Sequence, residues 1–434
     1  MDPRTRYLLA RALGLAATAN ALRPAIRFSR VPTPVEFLTG LPVSELPLHN
    51  AAIQGGLALL GARGGRARGW RGVAGAGLTA VSLAGLWRLH RDAQDAEHVL
   101  EAALADGLGP GYLDDISEPF NPAPARPLDR RSIIVPRVPR RRRYTATGSD
   151  VPYGEAGRRN HLDIWKRADL PHDAGAPVLL QVHGGAWVIG QKEGQGYPLM
   201  AHLAERGWVC VAINYRLSPR ATWPDHIVDV KRAIAWVRAN IADHGGDPDF
   251  LAISGGSAGG HLSSLAALTP GDATYQPGFE DADTSVAAAV PFYGVYDFTY
   301  RHGVGVPGLE PLLARRVFKT QLADDRDSWD RASPVSRVTP DAPPFFVLHG
   351  TNDTVVPVEQ AELFVSMLSE VSRQPVVYAE LPRAQHAFDV MPSVRAHHTV
   401  HAVERFLAVV RSRQGGPTPA EAVEGDEPVE VDRA

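Results

Sequence analysis

The fold is decided by the stretch Phe250-Leu251-Ala252-Ile253-Ser254-Gly255-Gly256-Ser257-Ala258-Gly259-Gly260-His261-Leu262. Its first five residues form a short apolar run typical of a buried strand, and an apolar helical pattern begins at Leu262. The serine between them lies in G-x-S-x-G, a turn so tight that its backbone is strained and its hydroxyl is lifted clear of the sheet. Residues two before and two after must be small, and here they are Gly255 and Gly259. A glycine-rich loop that merely ends a strand is the alternative, so the surrounding sequence must decide.

Apolar runs alternate with helical patterns from Tyr144 onward. Continuous apolar runs such as 178–180 and 345–348 suit parallel strands that are covered on both faces. The alternation predicts a doubly wound α/β fold with a mostly parallel sheet and an active site at the carboxyl ends of the strands. We predict strands at 143–147, 161–166, 178–183, 208–215, 250–254, 287–293, 345–348 and 376–381, and helices at about 195–206, 225–243, 258–268, 358–372 and 395–411. Residues 297–335 lack this regularity and are interpreted as a small lid.

Length and charge divide the chain into unequal parts. The 434 residues allow one large α/β domain and a further region. The net charge of −3 argues against nucleic-acid binding, yet residues 1–143 contain 20 Arg, no Lys and 12 acidic residues, a net charge of +8. A basic front part on a faintly acidic protein indicates contact with an anionic surface such as lipid. The single cysteine, Cys210, lies in an apolar run and is interpreted as buried, which leaves no disulfide.

Three apolar stretches without acidic residues lie in the first 90 residues, at 7–22, 46–62 and 73–89. Each reaches only the short end of the range that spans a bilayer. Their Ala, Gly and Leu content suits close helix packing. The segment 63–71 between the second and third holds four arginines, as cytoplasmic turns do. We therefore predict membrane association through residues 7–89, with the catalytic part on the extracytoplasmic side; a cytoplasmic protein is the alternative.

The remaining divisions follow from composition. We predict a helical N-terminal region at 1–118, a Pro/Arg-rich linker at 119–142, the catalytic domain at 143–412 and a disordered acidic tail at 413–434. If the front third is only an anchor, a chain starting near Pro127 should be soluble and active. If the front third is a cap over the active site, the same truncation should be unstable or altered in substrate choice. Oligomeric state stays open.

The serine at the turn, Ser257, needs a base, an acid that orients the base, and donors for a developing oxyanion. Asp353 follows the apolar strand 345–348 and is the candidate acid, with Asp389 and Asp297 as rivals. His386 lies on the loop after the last predicted strand, 33 residues beyond Asp353, and is the candidate base.

The candidate oxyanion site is the segment His183-Gly184-Gly185-Ala186-Trp187, directly after the third predicted strand. Glycines there allow backbone N–H groups to turn toward a developing negative charge. The N–H of Ala258, immediately after the serine, adds another donor. No H-E-x-x-H motif occurs and one cysteine cannot build a thiolate zinc site, so we expect neither a metal nor a cofactor.

Four motifs in order carry a resemblance to a known family, covering about residues 143–412. They are His183-Gly184-Gly185-Ala186-Trp187, Asn214-Tyr215-Arg216-Leu217-Ser218-Pro219, Gly255-Gly256-Ser257-Ala258-Gly259-Gly260 and His349-Gly350-Thr351-Asn352-Asp353. The chain resembles the α/β-hydrolase esterases and lipases, near the hormone-sensitive-lipase-like and formamidase-type groups, and its layout is similar to that of membrane-anchored actinobacterial lipases. Two positions depart from the hormone-sensitive-lipase-like pattern: Gly256 replaces an Asp and Ala186 replaces a third Gly.

The resemblance implies a catalytic triad of Ser257, Asp353 and His386. It implies oxyanion donors from Gly185, Ala186 and Ala258, with Gly184 in the same loop. We expect Trp187 and Tyr215, which belong to the matching motifs, to contact the substrate. The function implied is a serine carboxylester hydrolase for short- to medium-chain acyl esters. Hydrolysis of an amide, formamide or peptide by the same triad is an alternative, as is an inactive binding module.

Overall fold

The computed structural model describes residues 1–24, 34–117 and 138–415. Most of the predicted linker at 119–142 and nearly all of the predicted tail at 413–434 lie outside these residues. The central sheet has eight strands in the order β1-β2-β4-β3-β5-β6-β7-β8. Strands β1 and β2 are antiparallel to their neighbours, and the pairs from β4 through β8 are parallel. Their bounds are β1 Val151–Pro152, β2 His161–Trp165, β3 Ala176–Val182, β4 Val209–Ile213, β5 Gly246–Gly256, β6 Ala288–Phe292, β7 Phe345–Gly350 and β8 Val376–Leu381.

Helices cover both faces of this sheet. The bounds are α1 Pro3–Leu22, α2 Pro34–Glu45, α3 Pro47–Arg63, α4 Gly69–Leu108, α5 Arg141–Tyr144, α6 Tyr197–Glu205, α7 Asp225–Asn240, α8 Ala258–Leu268, α9 Leu309–Leu312, α10 Arg326–Arg331, α11 Glu359–Val371 and α12 Val394–Gln414. One hydrophobic core joins the sheet to α7, α8 and α11, and a second joins its other face to α6, α12 and the second half of α4. Every residue of β3, β4 and β6 is buried, and Gln181 is the one polar side chain among them, as expected of strands covered on both faces.

The doubly wound α/β fold is confirmed, and seven of the eight predicted strands are present within a few residues. The prediction of a strand at 143–147 is wrong. Residues 141–144 form the short helix α5, because side chains rather than a strand ladder fix this segment. Tyr144 stacks on Trp165 with ring centroids 5.3 Å apart, and Arg141 forms an ion pair with the buried Asp163.

The last of the N-terminal helices, α4, packs against the catalytic sheet. Helix α4 runs unbroken for 40 residues and joins the third apolar stretch to the polar residues after it. Its second half is part of the hydrolase core, with Leu100 and Leu104 fully buried against the sheet. Near its end the backbone approaches β8 so closely that a Cβ on Gly107 would lie 2.8 Å from the Val376 carbonyl oxygen. The second half of α4 and the catalytic domain therefore share one core.

The segment 297–335, interpreted from the sequence as a lid, lies between β6 and β7. It contains α9, a wider helical turn at Leu313–Val317, and α10. Phe318 stacks on Trp329 with ring centroids 4.4 Å apart, and both side chains are buried in the same core as α7 and α8. The segment is thus a packed insertion.

Candidate active site

Ser257 lies at the sharp turn between β5 and α8. Its backbone has φ 58° and ψ −120°, a conformation that L-residues rarely adopt. The turn leaves no room for side chains: a Cβ on Gly255 would lie 2.5 Å from the Gly259 carbonyl oxygen, and one on Gly259 would lie 2.2 Å from that of Val182. The strain indicates that the surrounding structure holds this serine in place.

Asp353 and His386 are brought together by the loops after β7 and β8. Asp353 Oδ2 lies 2.6 Å from His386 Nδ1. The other carboxylate oxygen, Oδ1, accepts hydrogen bonds of 2.8 Å from the N–H groups of Val355 and Val356. Burial alone would raise the pKa of Asp353, but the imidazoles of His386 and His349 hold it well below its ordinary value. The carboxylate is therefore ionised and can orient the imidazole.

The two rival acids have other partners. Asp389 accepts a hydrogen bond from the Tyr293 hydroxyl, and its burial raises its pKa to about 6. Asp297 accepts hydrogen bonds of 2.8 Å from the N–H and the hydroxyl of Thr299, within its own turn. Of the three carboxylates, Asp353 is the one hydrogen-bonded to the His386 ring.

The predicted oxyanion loop lies against this turn. A Cβ on Gly184 would lie 3.2 Å from Ser257 Cβ. The Gly184 N–H donates to Gln195 Oε1 at 2.7 Å, so this predicted donor is engaged within the protein. Gly185 and Ala186 have φ 122° and 52°, and their N–H groups donate to no other residue in the described ranges. Ala258 is the first residue of α8, so its N–H has no partner within the helix.

Trp187 and Tyr215, predicted to contact the substrate, lie behind this loop. Both are fully buried. The Trp187 Nε1–H donates to His261 Nδ1 at 3.2 Å, and burial lowers the pKa of His261 to about 3, which keeps that ring neutral and able to accept. Tyr215 donates to the His183 carbonyl oxygen at 3.0 Å and stacks on the His183 ring. Through these contacts both side chains stabilise the residues on either side of Gly184 and Gly185.

Sequence reasoning did not identify two residues beside the base. The Tyr293 ring lies 4.5 Å from that of His386, and a side chain on Gly256 would come within 2.6 Å of the Tyr293 hydroxyl. The glycine at 256 therefore makes room for Tyr293. Gln385 accepts hydrogen bonds at Oε1 from the N–H groups of Thr354 and His386, 2.9 and 2.8 Å long. Gln385 thus connects the loop of Asp353 to the loop of His386. In the sequence, only its position next to His386 could have indicated this role.

The N-terminal third contacts the loops of the candidate base and acid, as the alternative of a cap over the active site predicts. The Phe37 ring of α2 lies edge-on to His386 with centroids 6.0 Å apart. Asn352, the neighbour of Asp353, donates through Nδ2 to the carbonyl oxygens of Ala21 and Leu22, at 2.9 and 3.1 Å. Residues from the first 45 positions thus lie next to the base and the acid.

Two other features could bind a ligand. His202, His401 and Glu404, on α6 and α12, have ligand atoms within 4.8 Å of one another, and the His202 Nε2 already lies 2.6 Å from Glu404. A cavity of about 520 Å³ lies beside the oxyanion loop, with Arg159, Val188 and Arg220 in its wall. The residues lining this cavity do not include Ser257, Asp353 or His386.

Comparison with known proteins places the chain. A family model described as BD-FAE matches residues 162–368. The chain is 53% identical over 424 residues to a probable carboxylic ester hydrolase, LipM, of Mycobacterium tuberculosis, with 96% of each chain covered. It is 50% identical to the esterase LipQ of the same organism over 75% of this chain and 77% of the relative. A carbohydrate esterase from gut microbiota, in truncated form, shares the fold at a TM-score of 0.53 and 24% identity, over 62% of this chain and 99% of that one. The chain therefore belongs to the α/β-hydrolase esterases.

Proposed function

We propose that this esterase hydrolyses carboxylic esters through an acyl-enzyme on Ser257. His386 takes the proton from the Ser257 hydroxyl as the oxygen attacks the ester carbonyl carbon, and Asp353 stabilises the resulting imidazolium. The carbonyl oxygen becomes an oxyanion that accepts hydrogen bonds from the N–H groups of Gly185, Ala186 and Ala258. The imidazolium then protonates the departing alkoxide, and a water molecule activated by His386 releases the acid and restores the serine.

The observation that carries this proposal is the 2.6 Å contact between Asp353 and His386, on loops at the same sheet edge as the strained Ser257. Three features that nucleophilic catalysis needs thus lie at one edge of the sheet: a serine just after the end of β5, an oriented imidazole and free N–H groups. An aspartate that only closes a turn, or a histidine that is only solvated, would have no reason to lie beside the other two features.

A fluorophosphonate probe tests the nucleophile. We expect it to label the full-length protein at Ser257, as located by peptide mass spectrometry, and to leave Ser257→Ala unlabelled. Ser257→Ala should lower kcat for an aryl acetate by about 10³-fold or more with an unchanged melting temperature. A matched control is Ser254→Ala on β5. It removes a hydroxyl that donates to the Val290 carbonyl oxygen of β6. Label at another serine, or a tenth of the activity left in Ser257→Ala, would refute the assignment.

We propose further that α1, α3 and the first half of α4 form a membrane-embedded bundle. Among the described residues one helix, α4, is long and apolar enough to cross a membrane. Thirteen of the seventeen large apolar side chains exposed in the described ranges belong to residues 1–90. Besides a small apolar cluster, the interior contains hydrogen bonds between the helices: the Thr18 and Ser82 hydroxyls lie 2.8 Å apart, and Ser82 donates to Gln54 Oε1 at 2.7 Å. Apolar outside and hydrogen-bonded inside is the pattern of helices packed in lipid.

The arginines of 63–71 mark one end of this bundle. Asp2 pairs with Arg71 at 3.2 Å, which brings the start of α1 to the start of α4 beside the arginines of 63–71. The other end of α1 contacts Asn352 of the catalytic domain. Helix α1 has 20 residues and is about 30 Å long, the thickness of the hydrocarbon core. The basic end would therefore face the cytoplasm and the catalytic domain the extracytoplasmic side.

Membrane fractionation tests whether the bundle is embedded. The full-length protein should sediment with membranes and stay there in 1 M salt and in carbonate, because burial of apolar surface does not weaken with ionic strength. Exchange of the outward leucines in Leu59→Gln/Leu60→Gln should release part of the protein, while the same exchange at Leu113, on the catalytic side, should not. Complete release of the unaltered protein by salt would refute embedding.

A further inference from the structure

We propose that helix α2 is a wall of the active site on the side that faces the bilayer, and that the apolar chain of a membrane-dissolved ester reaches Ser257 along Phe37. The proposal deepens the proposed function, since it assumes ester hydrolysis at Ser257 and an embedded bundle. It assigns a substrate class, lipid-soluble esters, and a residue that selects among them.

One face of α2 rests on the loops that carry the base. Phe37 meets the His386 ring edge-on. One turn later, a Cβ on Gly40 would lie 3.1 Å from Gln385 Nε2, so the helix approaches this loop as closely as a glycine permits. At the end of the helix, Glu45 forms a buried ion pair with Arg395 of α12. Positions 40 and 45 lie three and eight residues after position 37, so Phe37 shares one side of the helix with each of them.

Two apolar side chains of α2 are uncovered, next to the exposed Thr39. Val35 and Leu38 are 64% and 63% exposed. Helix α1, which belongs to the bundle, holds α2 in place, since Asn20 Nδ2 donates to the Glu36 carbonyl oxygen at 2.9 Å. With the bundle in lipid, α2 lies at the catalytic end of the bundle, where an amphipathic helix would lie in the interface. We assign the bilayer as the occupant, because Val35 and Leu38 belong with the exposed apolar side chains of residues 1–90 that the bundle presents to lipid.

Phe37 has the chemistry for a neutral, apolar chain. Its ring is only partly buried, so one side contacts His386 and the other remains accessible. Helix α2 carries two charged residues, Glu36 and Glu45, and the second is enclosed with Arg395. An ester chain that leaves the bilayer beside Leu38 would therefore meet an apolar surface as far as the base, and each methylene in contact would add to binding.

A chain-length series of aryl esters tests the wall. Phe37→Ala should reduce kcat/KM for the octanoyl ester about fivefold more than for the acetyl ester, and Phe37→Trp should change the same ratio because it narrows the passage. The matched control Leu113→Ala removes an exposed side chain elsewhere and should leave the ratio unchanged. An unchanged ratio in both Phe37 variants would overturn the wall. If Ser257→Ala were fully active, the proposed function itself would fail, which is a separate result.

The second measurement places α2 against lipid. A bimane attached at Leu38→Cys should be quenched in vesicles of phosphatidylcholine and phosphatidylglycerol with brominated chains. The same label at Val371→Cys, exposed on α11, should not be quenched. The native Cys210 does not compete, because it is fully buried and burial raises the pKa of its thiol. Equal quenching at both sites would overturn the lipid-facing assignment. So would a Leu38 label that is buried only at protein concentrations at which two copies of the chain associate.

Discussion

Glu45 and Arg395 form an ion pair in which both side chains are completely buried, and it joins α2 to the first turn of α12. The Ser393 hydroxyl donates to the same carboxylate at 2.8 Å, and Arg395 also donates to the Pro382 carbonyl oxygen at 3.1 Å. Pro382 begins the loop that carries His386. The proposed wall and the proposed base are thus held by one buried group of charges.

Breaking this pair should be asymmetric. Glu45→Leu leaves the Arg395 charge buried without its partner and should lower stability by about 3–5 kcal/mol. Arg395→Met should be milder, because burial raises the pKa of Glu45 and the carboxyl can take up a proton. The double variant should recover much of the loss, since an apolar pair needs no charge compensation. Thermal unfolding of the unaltered protein, the two single variants and the double variant in one detergent checks this prediction. Equal losses of stability in the two single variants would contradict it.

Asp353→Asn should lower kcat by about 10⁴ while the fold is kept, because an amide cannot stabilise the imidazolium and favours the wrong tautomer of His386. The chain offers a matched control in Asp389→Asn, a second buried carboxyl near the same histidine. That variant keeps an oxygen to accept the Tyr293 hydroxyl and should lose less than about tenfold. Steady-state rates on an aryl acetate decide; a reversed order would make Asp389 the acid.

Asp389 should also impose a pH dependence on stability. Its folded pKa of about 6 lies above the unfolded value, so the folded state holds the extra proton and its stabilising effect is complete at about pH 4. This contribution is lost as the pH rises through 6. Asp389→Asn mimics the protonated carboxyl and should be more stable than the unaltered protein at pH 8, and no more stable at pH 4. Melting temperatures at both values measure it, and an identical difference at the two pH values would speak against it.

Removal of residues 1–126 should yield a protein that aggregates. The truncation deletes Leu100, Leu104 and Leu108 of α4 and exposes the sheet face that they cover. A chain that starts at Asp92 keeps this half of α4 and should be the more soluble of the two, although it lacks α2. Size-exclusion chromatography with an aryl ester assay compares them. A monomeric, fully active chain from Pro127 would show that α4 is dispensable.

The sequence reveals the catalytic part because its signals are local. The turn around Ser257 needs small residues within five positions, and buried parallel strands are apolar along their length, so both can be read without knowing the fold. Helix α2 leaves no such signal, because it contains Pro42 and buries the charged Glu45. Helix α4 changes from apolar to polar at about residue 90 because its surroundings change along its length. Its first half is proposed to lie in lipid, and its second half lies against the sheet.

The separation of Glu45 and Arg395 along the chain has a consequence for biosynthesis. The two residues are 350 positions apart, and Asn352 lies 331 positions from its partner Ala21. Contacts between such distant positions close large loops and form late. The N-terminal helices leave the ribosome first and α12 last, so α2 cannot dock until synthesis is nearly complete. A growing chain would therefore carry an unfinished pocket, and the ester-cleaving machinery would be assembled only once both ends of the polypeptide have met.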